Sequence, residues 1–251
     1  MTINRPDGSG LPTVYSRPRG DGVALQIPPP LDSWEAGGHR DQLRLKKFLA
    51  HAKDVALPLI GQLDDPLALR LDVGLAPDKD LLTQRDLDNY VRPLAAHLAQ
   101  ASGRRFACVW CSKQYAETSM LWVSTAIGCP AREIEKRGWL RVHTTASYED
   151  TAYKRQISSQ LRDSVVELDE GPVALQLAFT VGPGRNWTNL WKPTIDSLDT
   201  ILGRTHPARL WNPRDDRITE LGLHCHVDGD LGNDVLIAIA ARPLSDESSG
   251  Q

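Results

Sequence analysis

The sequence predicts an α+β fold made of two tandem copies of one small unit, which together would form a pseudo-dimer within a single chain. Two observations lead to this prediction. Segments with strand and helix periodicity follow one another in the same order in both halves of the 251-residue chain. Two short motifs, a proline-led alternating segment and an Asn-x-x-basic-Pro segment, occur once in each half. Each copy should therefore hold a small mixed sheet with helices packed on it.

The first copy begins with a short apolar strand, Val23–Ile27, which stops at three prolines (residues 28–30) because proline has no backbone N–H. Apolar residues then recur at helical spacing from about Arg40 to Leu59. Leu67–Val73 alternates apolar residues with others, as a half-buried strand does. The remaining predicted elements are a helix over about Asn89–Gln100 and strands over Phe106–Trp110 and Met120–Ile127.

The second copy repeats this order. A short strand over Trp139–Val142 precedes a helix over Tyr153–Val166, whose apolar residues recur every fourth position. The remaining predicted elements are an alternating strand over Val173–Val181, a helix over Asn189–Leu202, and strands over Ile218–Val227 and Val235–Ala241.

Two segments align the copies. Residues 66–71 (PLALRL) match residues 172–177 (PVALQL) at an offset of 172 − 66 = 106, and residues 89–93 (NYVRP) match residues 189–193 (NLWKP) at 189 − 89 = 100. The difference places about six extra residues in a loop of the first copy, within 74–85, and loops tolerate insertions. The alternative is chance similarity between two amphipathic patterns, but the ordered motifs favour duplication.

The two copies set the domain boundaries: an N-terminal segment without fixed structure (1–21), a first repeat (22–128), a second repeat (129–243) and a flexible tail (244–251). No signal peptide and no run of about 20 apolar residues is visible, so we expect a cytoplasmic protein without membrane contact. The net charge of −3 means that any contact with nucleic acid must use a local basic patch. Because both copies belong to one chain, we expect a monomer with an internal pseudo-twofold axis. The sequence does not exclude a homodimer.

The sharpest candidate site is the segment DLDNYVRP, which lies between a predicted strand and a predicted helix. Asp86 and Asp88 project to the same side of an extended backbone, and such a pair can hold Mg²⁺. Arg92, one turn into the helix, could offset the charge of a phosphate. The structural alternative is that an aspartate caps the helix and Asn89 supports the turn.

A second candidate site lies in the other copy, where Asn189 and Lys192 occupy the matching helix. Asp215 and Asp216 come directly before a predicted strand and form a further possible metal site. The alternative is a solvated turn, since aspartate and the preceding Asn-Pro are good turn residues.

These segments resemble the RusA-type Holliday-junction endonucleases. That family has a first strand running into a proline-rich turn, an Asp-x-Asp-Asn-x-x-Lys-Pro segment, a helix, and an Asp-Asp pair before a strand. In the family, the aspartates bind Mg²⁺ and the lysine assists cleavage of four-way DNA junctions by a homodimer. The resemblance is a pattern found once per copy over most of residues 22–242.

The resemblance implies a site that is divided between the copies. The implied catalytic residues are Asp86, Asp88, Lys192, Asp215 and Asp216, of which the four aspartates would bind Mg²⁺, and Arg92, Asn89 and Asn189 would contact substrate. Neither copy is complete, because Asn186 and Thr188 replace the spaced aspartates in the second copy and Gln114-Tyr115 aligns with the paired aspartates in the first.

Two functions follow from this division. If the acids converge in space, with oxygens within about 5 Å of one another, they could hold one Mg²⁺ ion. The chain would then be a Mg²⁺-dependent, structure-specific endodeoxyribonuclease acting on branched DNA. If the acids lie apart, the chain would be a catalytically degenerate DNA- or protein-binding module. The sequence leaves the choice open.

A zinc site is a weaker candidate. Cys108 and Cys111 have the spacing of half such a site, and His224 and His226 could supply further ligands. No second cysteine pair stands at a suitable spacing, so we interpret these residues as ordinary strand positions.

Overall fold

The computed structural model describes residues 10–30, 40–83, 85–162 and 165–244. The strands are β1 (Val23–Ala24), β2 (Leu67–Leu75), β3 (Phe106–Tyr115), β4 (Met120–Thr125), β5 (Leu140–Thr144), β6 (Val173–Val181), β7 (Ile218–Val227) and β8 (Val235–Pro243). The helices are α1 (Arg40–Ile60), α2 (Leu87–Ser102), α3 (Ala131–Glu135), α4 (Thr151–Leu161), α5 (Trp191–Asp196) and α6 (Asp199–Leu202). The predicted α+β class is confirmed.

All eight strands form one mixed sheet in the order β1-β4-β2-β3-β7-β6-β8-β5. The pairs β2–β3 and β6–β7 are parallel, and each is flanked by an antiparallel neighbour, β4 beside β2 and β8 beside β6. In the middle, β3 pairs with β7 in antiparallel fashion and joins the strands of the two halves of the chain. The core is therefore continuous across the molecule.

The strands β2 and β6 agree in detail. Each has nine residues and the same sequence of buried and half-buried positions. The strands that pair with them also agree, because each has one extra residue near its start: Ala107 of β3 opposite the step from Leu67 to Ala68, and Thr219 of β7 opposite the step from Val173 to Ala174. Because side chains alternate along a strand, such an extra residue sets which face the later residues of β3 and β7 point to.

The two faces of the sheet are covered differently. On one face, buried residues of the helices, such as Phe48 of α1 and Leu94 of α2, pack with the strands into the main core. On the other face, Val14 and Ile134 pack on Ala178 of β6. This second face is thus covered by the segment before β1 and by α3.

The N-terminal segment differs from expectation. The sequence predicted no fixed structure over residues 1–21, but Val14 is buried, and the backbone N–H groups of Ser16 and Cys129 donate to Ile127 and Val14 carbonyls. These backbone bonds and the burial of Val14 hold a segment whose glycine- and proline-rich composition favours disorder. Residues 1–9 lie outside the described residues.

Several predicted elements have different bounds. The helix predicted over Tyr153–Val166 is α4 and ends at Leu161. The helix predicted over Asn189–Leu202 is interrupted between α5 and α6, where the Ser197 hydroxyl and amide both donate to carbonyls of the preceding turn. In the described part of the chain, no helix combines the length and apolar character needed to cross a membrane.

The cysteine pair does not form half a metal site. Cys108 belongs to the cluster that includes Trp110 on one face of the sheet, whereas Cys111 belongs to the main core on the other face. Residues three apart in a strand point to opposite sides, so these two thiols cannot share one ion. The interpretation as strand residues is confirmed.

Candidate functional site

Three carboxylates from distant parts of the chain converge. Asp86 and Asp88 lie at the start of α2, and Asp215 lies in the 3-10 turn that leads into β7. One oxygen of each lies within 4.8 Å of the other two. We call these three residues the acidic cluster. Their spacing is compatible with ligands around a single divalent cation, since Mg²⁺–oxygen distances are about 2.1 Å.

The start of α2 holds its two aspartates in different ways. Asp86 has the extended backbone of a helix N-cap, yet its side chain makes no capping hydrogen bond. Instead, the Asn89 side-chain amide donates to Asp86 Oδ2 over 3.0 Å. The capping alternative therefore does not describe the Asp86 carboxylate, which Asn89 holds toward the cluster.

Asp88 is the most buried member of the cluster, with 2% of its surface exposed. Its Oδ2 atom is buried and has no hydrogen-bond partner among the described residues. Burial raises the pKa of Asp88 to about 7, although the Lys192 charge opposes this shift. An unpaired buried carboxylate oxygen is costly, and a bound cation would satisfy it. The donor set therefore fits a hard divalent cation.

Lys192 of α5 brings a positive charge to the same place. Its Nζ atom lies 2.6 Å from Asp215 Oδ2 and 3.6 Å from Asp86 Oδ2. Burial lowers the pKa of Lys192, but the surrounding carboxylates, Asp88 foremost, outweigh burial and raise this pKa above its ordinary value. The lysine therefore stays protonated and offsets part of the negative charge.

Lys113, a buried residue of β3, connects the two acidic segments through their backbones. Its Nζ atom donates to the carbonyl oxygens of Arg85, at 2.8 Å, and of Asp216. Burial lowers the pKa of Lys113 to about 8. Sequence reasoning missed this residue because the predicted strand ended at Trp110, five residues short of the end of β3 at Tyr115. A lysine in the continuation of an apolar strand was the available signal.

Asp216 has a different position from the one expected. It was predicted as a metal ligand, but it does not belong to the group of described residues whose ligand atoms lie within 4.8 Å of one another. Its backbone carbonyl instead accepts the bond from Lys113. Because adjacent residues point in different directions, only the first of the two paired acids joins the cluster.

The predicted substrate-contacting residues lie around this cluster. Arg92 and Asn189 line a cleft of about 500 Å³ together with Lys192. The Asn189 amide donates to the Tyr148 hydroxyl over 3.0 Å at the same cleft. Asn89 lies at the cluster itself, against Asp86. Lys192 therefore connects the acidic cluster to this cleft, whose charged wall residues are three cations and three acids: Arg92, Lys154, Lys192, Glu149, Asp150 and Asp196.

The strand registers change one alignment. The pairing of β2 with β3 starts at Phe106, and the pairing of β6 with β7 starts at Ile218, an offset of 218 − 106 = 112. At this offset the segment matching Asp215-Asp216 is Gly103-Arg104, not Gln114-Tyr115, which ends β3. The alignment made from the sequence kept nearly the same offset for the residues after the helix. It did not allow for the loop before β7, which is longer than the loop before β3.

Comparison with known proteins gives no relative from which a role for these residues could be taken. No protein-family model matches the chain, and no curated protein sequence matches it.

Proposed function

We propose that the protein is a Mg²⁺-dependent endodeoxyribonuclease that cuts branched DNA. The observation that carries the proposal is the convergence of Asp86, Asp88 and Asp215 around a buried Asp88 oxygen that has no partner among the described residues. A carboxylate whose pKa is strongly raised by burial, as that of Asp88 is, is typical of a functional site. A bound Mg²⁺ ion would supply an activated water and would stabilise negative charge on a phosphate.

The chain's own residues have distinct roles in this proposal. Asp86, Asp88 and Asp215 would hold the cation. Lys192 keeps its proton and would contact a phosphate oxygen at the cleft, so it acts as a fixed charge and not as a base. Lys113 holds the backbone on both sides of the cluster in place.

Branched DNA as the substrate rests on a second part of the proposal, that the chain is an internal duplication with a pseudo-twofold axis. Equivalent strands would be β1 and β5, β2 and β6, β3 and β7, and β4 and β8, and each pair takes mirrored places in the sheet order. At the offset of 112, Trp110 is equivalent to Gly222, and these two residues face each other across the β3–β7 ladder. An axis through this pair would resemble the axis of a homodimer that grips a four-way junction.

The test is a cleavage assay on a four-way junction and on a linear duplex, with and without Mg²⁺. Asp88→Asn and Asp215→Asn should each lower junction cleavage by at least about 100-fold, since even outer-shell changes at metal sites cost 10–100-fold. Asp64→Asn, at an exposed carboxylate, serves as the matched control and should cut normally. Undiminished cutting by both cluster variants would refute the proposal.

A second candidate function is a catalytically degenerate module that binds DNA or protein. The observation that favours it is Lys192, whose ammonium group lies against Asp215 and near Asp86 and so offsets the charge of the cluster without a metal. This function predicts that calorimetry detects no Mg²⁺ binding. It also predicts that junction binding survives Asp88→Asn and that wild-type protein does not cut.

A further inference from the structure

A second polar cavity lies beside the same helix, farther along α2. Its volume is about 420 Å³, and it lies between the C-terminal half of α2, the start of β3 and the loop after β6. The polar side chains that line it are Gln100, Arg104, Arg105, Arg185, Asn186 and Thr188. None of the described residues that line it carries a carboxylate. We call it the arginine cavity.

The arginine cavity takes the place that a second acidic cluster would have. Asn186 and Thr188 match Asp86 and Asp88 at the helix offset of 100, and Arg104 matches Asp216 at the strand offset of 112. Gly103 matches Asp215 at the same strand offset, so each position that is acidic at the first site is neutral or basic at the second. Among the described residues that line the cavity, a cation finds no carboxylate ligand and an anion meets a favourable charge.

Two of the three arginines have no acidic partner among the residues that the structure describes. Arg104 is occupied, because it pairs with Asp65 over 2.7 Å and donates to backbone carbonyls. Arg105 donates to the Pro183 carbonyl over 3.3 Å, and Arg185 donates to the Asn233 carbonyl over 2.9 Å. Neither has a carboxylate within ion-pair distance in the described part of the chain.

Arg185 also has an unfulfilled donor. Its Nε–H group is buried and finds no acceptor among the described residues. Guanidinium groups present several donors in a planar fork that matches the oxygens of a phosphate. Uncompensated charge and an idle donor together describe a receptor for an oxyanion. The Asn186 and Thr188 side chains add no negative charge to it, since the Thr188 hydroxyl donates to Asn186 Oδ1 over 2.9 Å.

We propose that the arginine cavity binds a backbone phosphate of the DNA. The acidic cluster would then cleave the DNA, and the arginine cavity would bind it. This inference rests on the proposed function for the identity of the anion. Asp88 belongs to the acidic cluster, and Ala95 lines the arginine cavity. At a rise of 1.5 Å per residue, these two residues of α2 are about 10 Å apart along the helix. A single branched DNA molecule can reach both places.

The test is a binding measurement by fluorescence anisotropy on a four-way junction, in EDTA and over a range of salt concentrations. The double variant Arg105→Gln/Arg185→Gln should bind at least about tenfold more weakly at 0.1 M salt, and its slope of log affinity against log salt should fall by about 2. The matched control is Arg132→Gln/Lys136→Gln, at two exposed cations on the α3 side of the sheet. A control that weakens binding as much as the cavity variant would overturn the proposal.

A second variant guards against misfolding of the first. Gln100→Glu, at an exposed residue that lines the cavity, leaves both arginines in place and adds a carboxylate, so it should also weaken junction binding while the melting temperature stays near that of wild type. Titration with inorganic phosphate alone separates two sources of the anion. If phosphate binds but junction affinity is unchanged in the arginine and Gln100 variants, the cavity serves a small phosphate compound and the DNA proposal is wrong.

The two proposals fail in different ways. Mg²⁺-dependent cutting that is lost in Asp88→Asn, with unchanged junction affinity in the arginine variant, would overturn the phosphate site and leave the metal site standing. Arginine-dependent junction binding by a protein that never cuts would overturn the nuclease and leave the phosphate site standing.

Discussion

The acidic cluster and the arginine cavity adjoin the same helix, but they carry opposite charge. At the start of α2, three carboxylates lie within 4.8 Å of one another, and two lysines contact their segments. Along the C-terminal half of α2, three arginines line the other cavity, and none of its described lining residues is acidic. The backbone surroundings are alike, with a helix beside the ends of parallel strands. A few side chains therefore decide whether a site beside this helix suits a cation or an anion.

The two places also differ in how their charges are satisfied. Asp88 is nearly inaccessible to water, so its unpaired oxygen has a cost that only a proton or a cation can remove. Arg105 is exposed and Arg185 is half-buried, so both guanidinium groups are partly solvated apart from the buried Arg185 Nε–H group. The acidic cluster should therefore depend strongly on its ligand for stability, and the arginine cavity only weakly.

The largest expected effect sharpens this difference. Mg²⁺ should raise the unfolding free energy of wild-type protein by about 2.7 kcal/mol at 100 times its dissociation constant. Thermal melts with and without Mg²⁺ measure this gain, which Asp88→Asn and Asp215→Asn should abolish. The arginine double variant should keep the full gain. If it loses the gain as well, the two places are not independent.

The next effect concerns how the cluster is assembled. Lys113→Met removes the donor that two backbone carbonyls share, and we expect a loss of about 1–3 kcal/mol in unfolding free energy. Mg²⁺ affinity, measured by calorimetry, should fall by about 10–100-fold because the two acidic segments lose their connection. Lys79→Met, at an exposed lysine, is the matched control and should alter neither quantity. An unchanged Mg²⁺ affinity in Lys113→Met would show that the cluster is held by other contacts.

The smallest effect uses a buried titratable group away from the cluster. His224 accepts a hydrogen bond from the Tyr15 amide and contacts Gln176, so both ring nitrogens have partners, unlike the carboxylate of Asp88. Burial, assisted by the Arg137 charge, lowers the pKa of His224 to about 3 from an ordinary value of 6.5. Below pH 6.5 the unfolded chain binds a proton that the folded chain does not. Stability should therefore fall as the pH drops, by about 1.4 kcal/mol between pH 7.5 and 5.5.

Denaturant unfolding at pH 7.5 and 5.5 checks this slope. His224→Gln keeps a polar side chain beside Tyr15 and Gln176 but cannot take up the proton, so its stability should change less between the two pH values. An equal change in wild type and variant would mean that other groups account for the pH dependence.

Much of the fold was predictable because its signals are local. The alternation in Leu67–Val73 and Val173–Val181 determines two strands, since side chains of a strand point alternately to two faces. The helical spacing after Arg40 determines α1 in the same way. The acid spacing around Asp86 likewise marked the start of α2 as a candidate site before any contact was known.

The sequence by itself determined the class of fold, the order of most of its elements and the residues with the chemistry of a metal site. Only the tertiary structure decided that Asp215, and not Asp216, joins Asp86 and Asp88, and that Lys113 holds both segments. These outcomes depend on the pairing of β3 with β7, which joins residues about one hundred positions apart. Periodicity reports which face a residue takes within its own element, but it has no information about the register between distant strands.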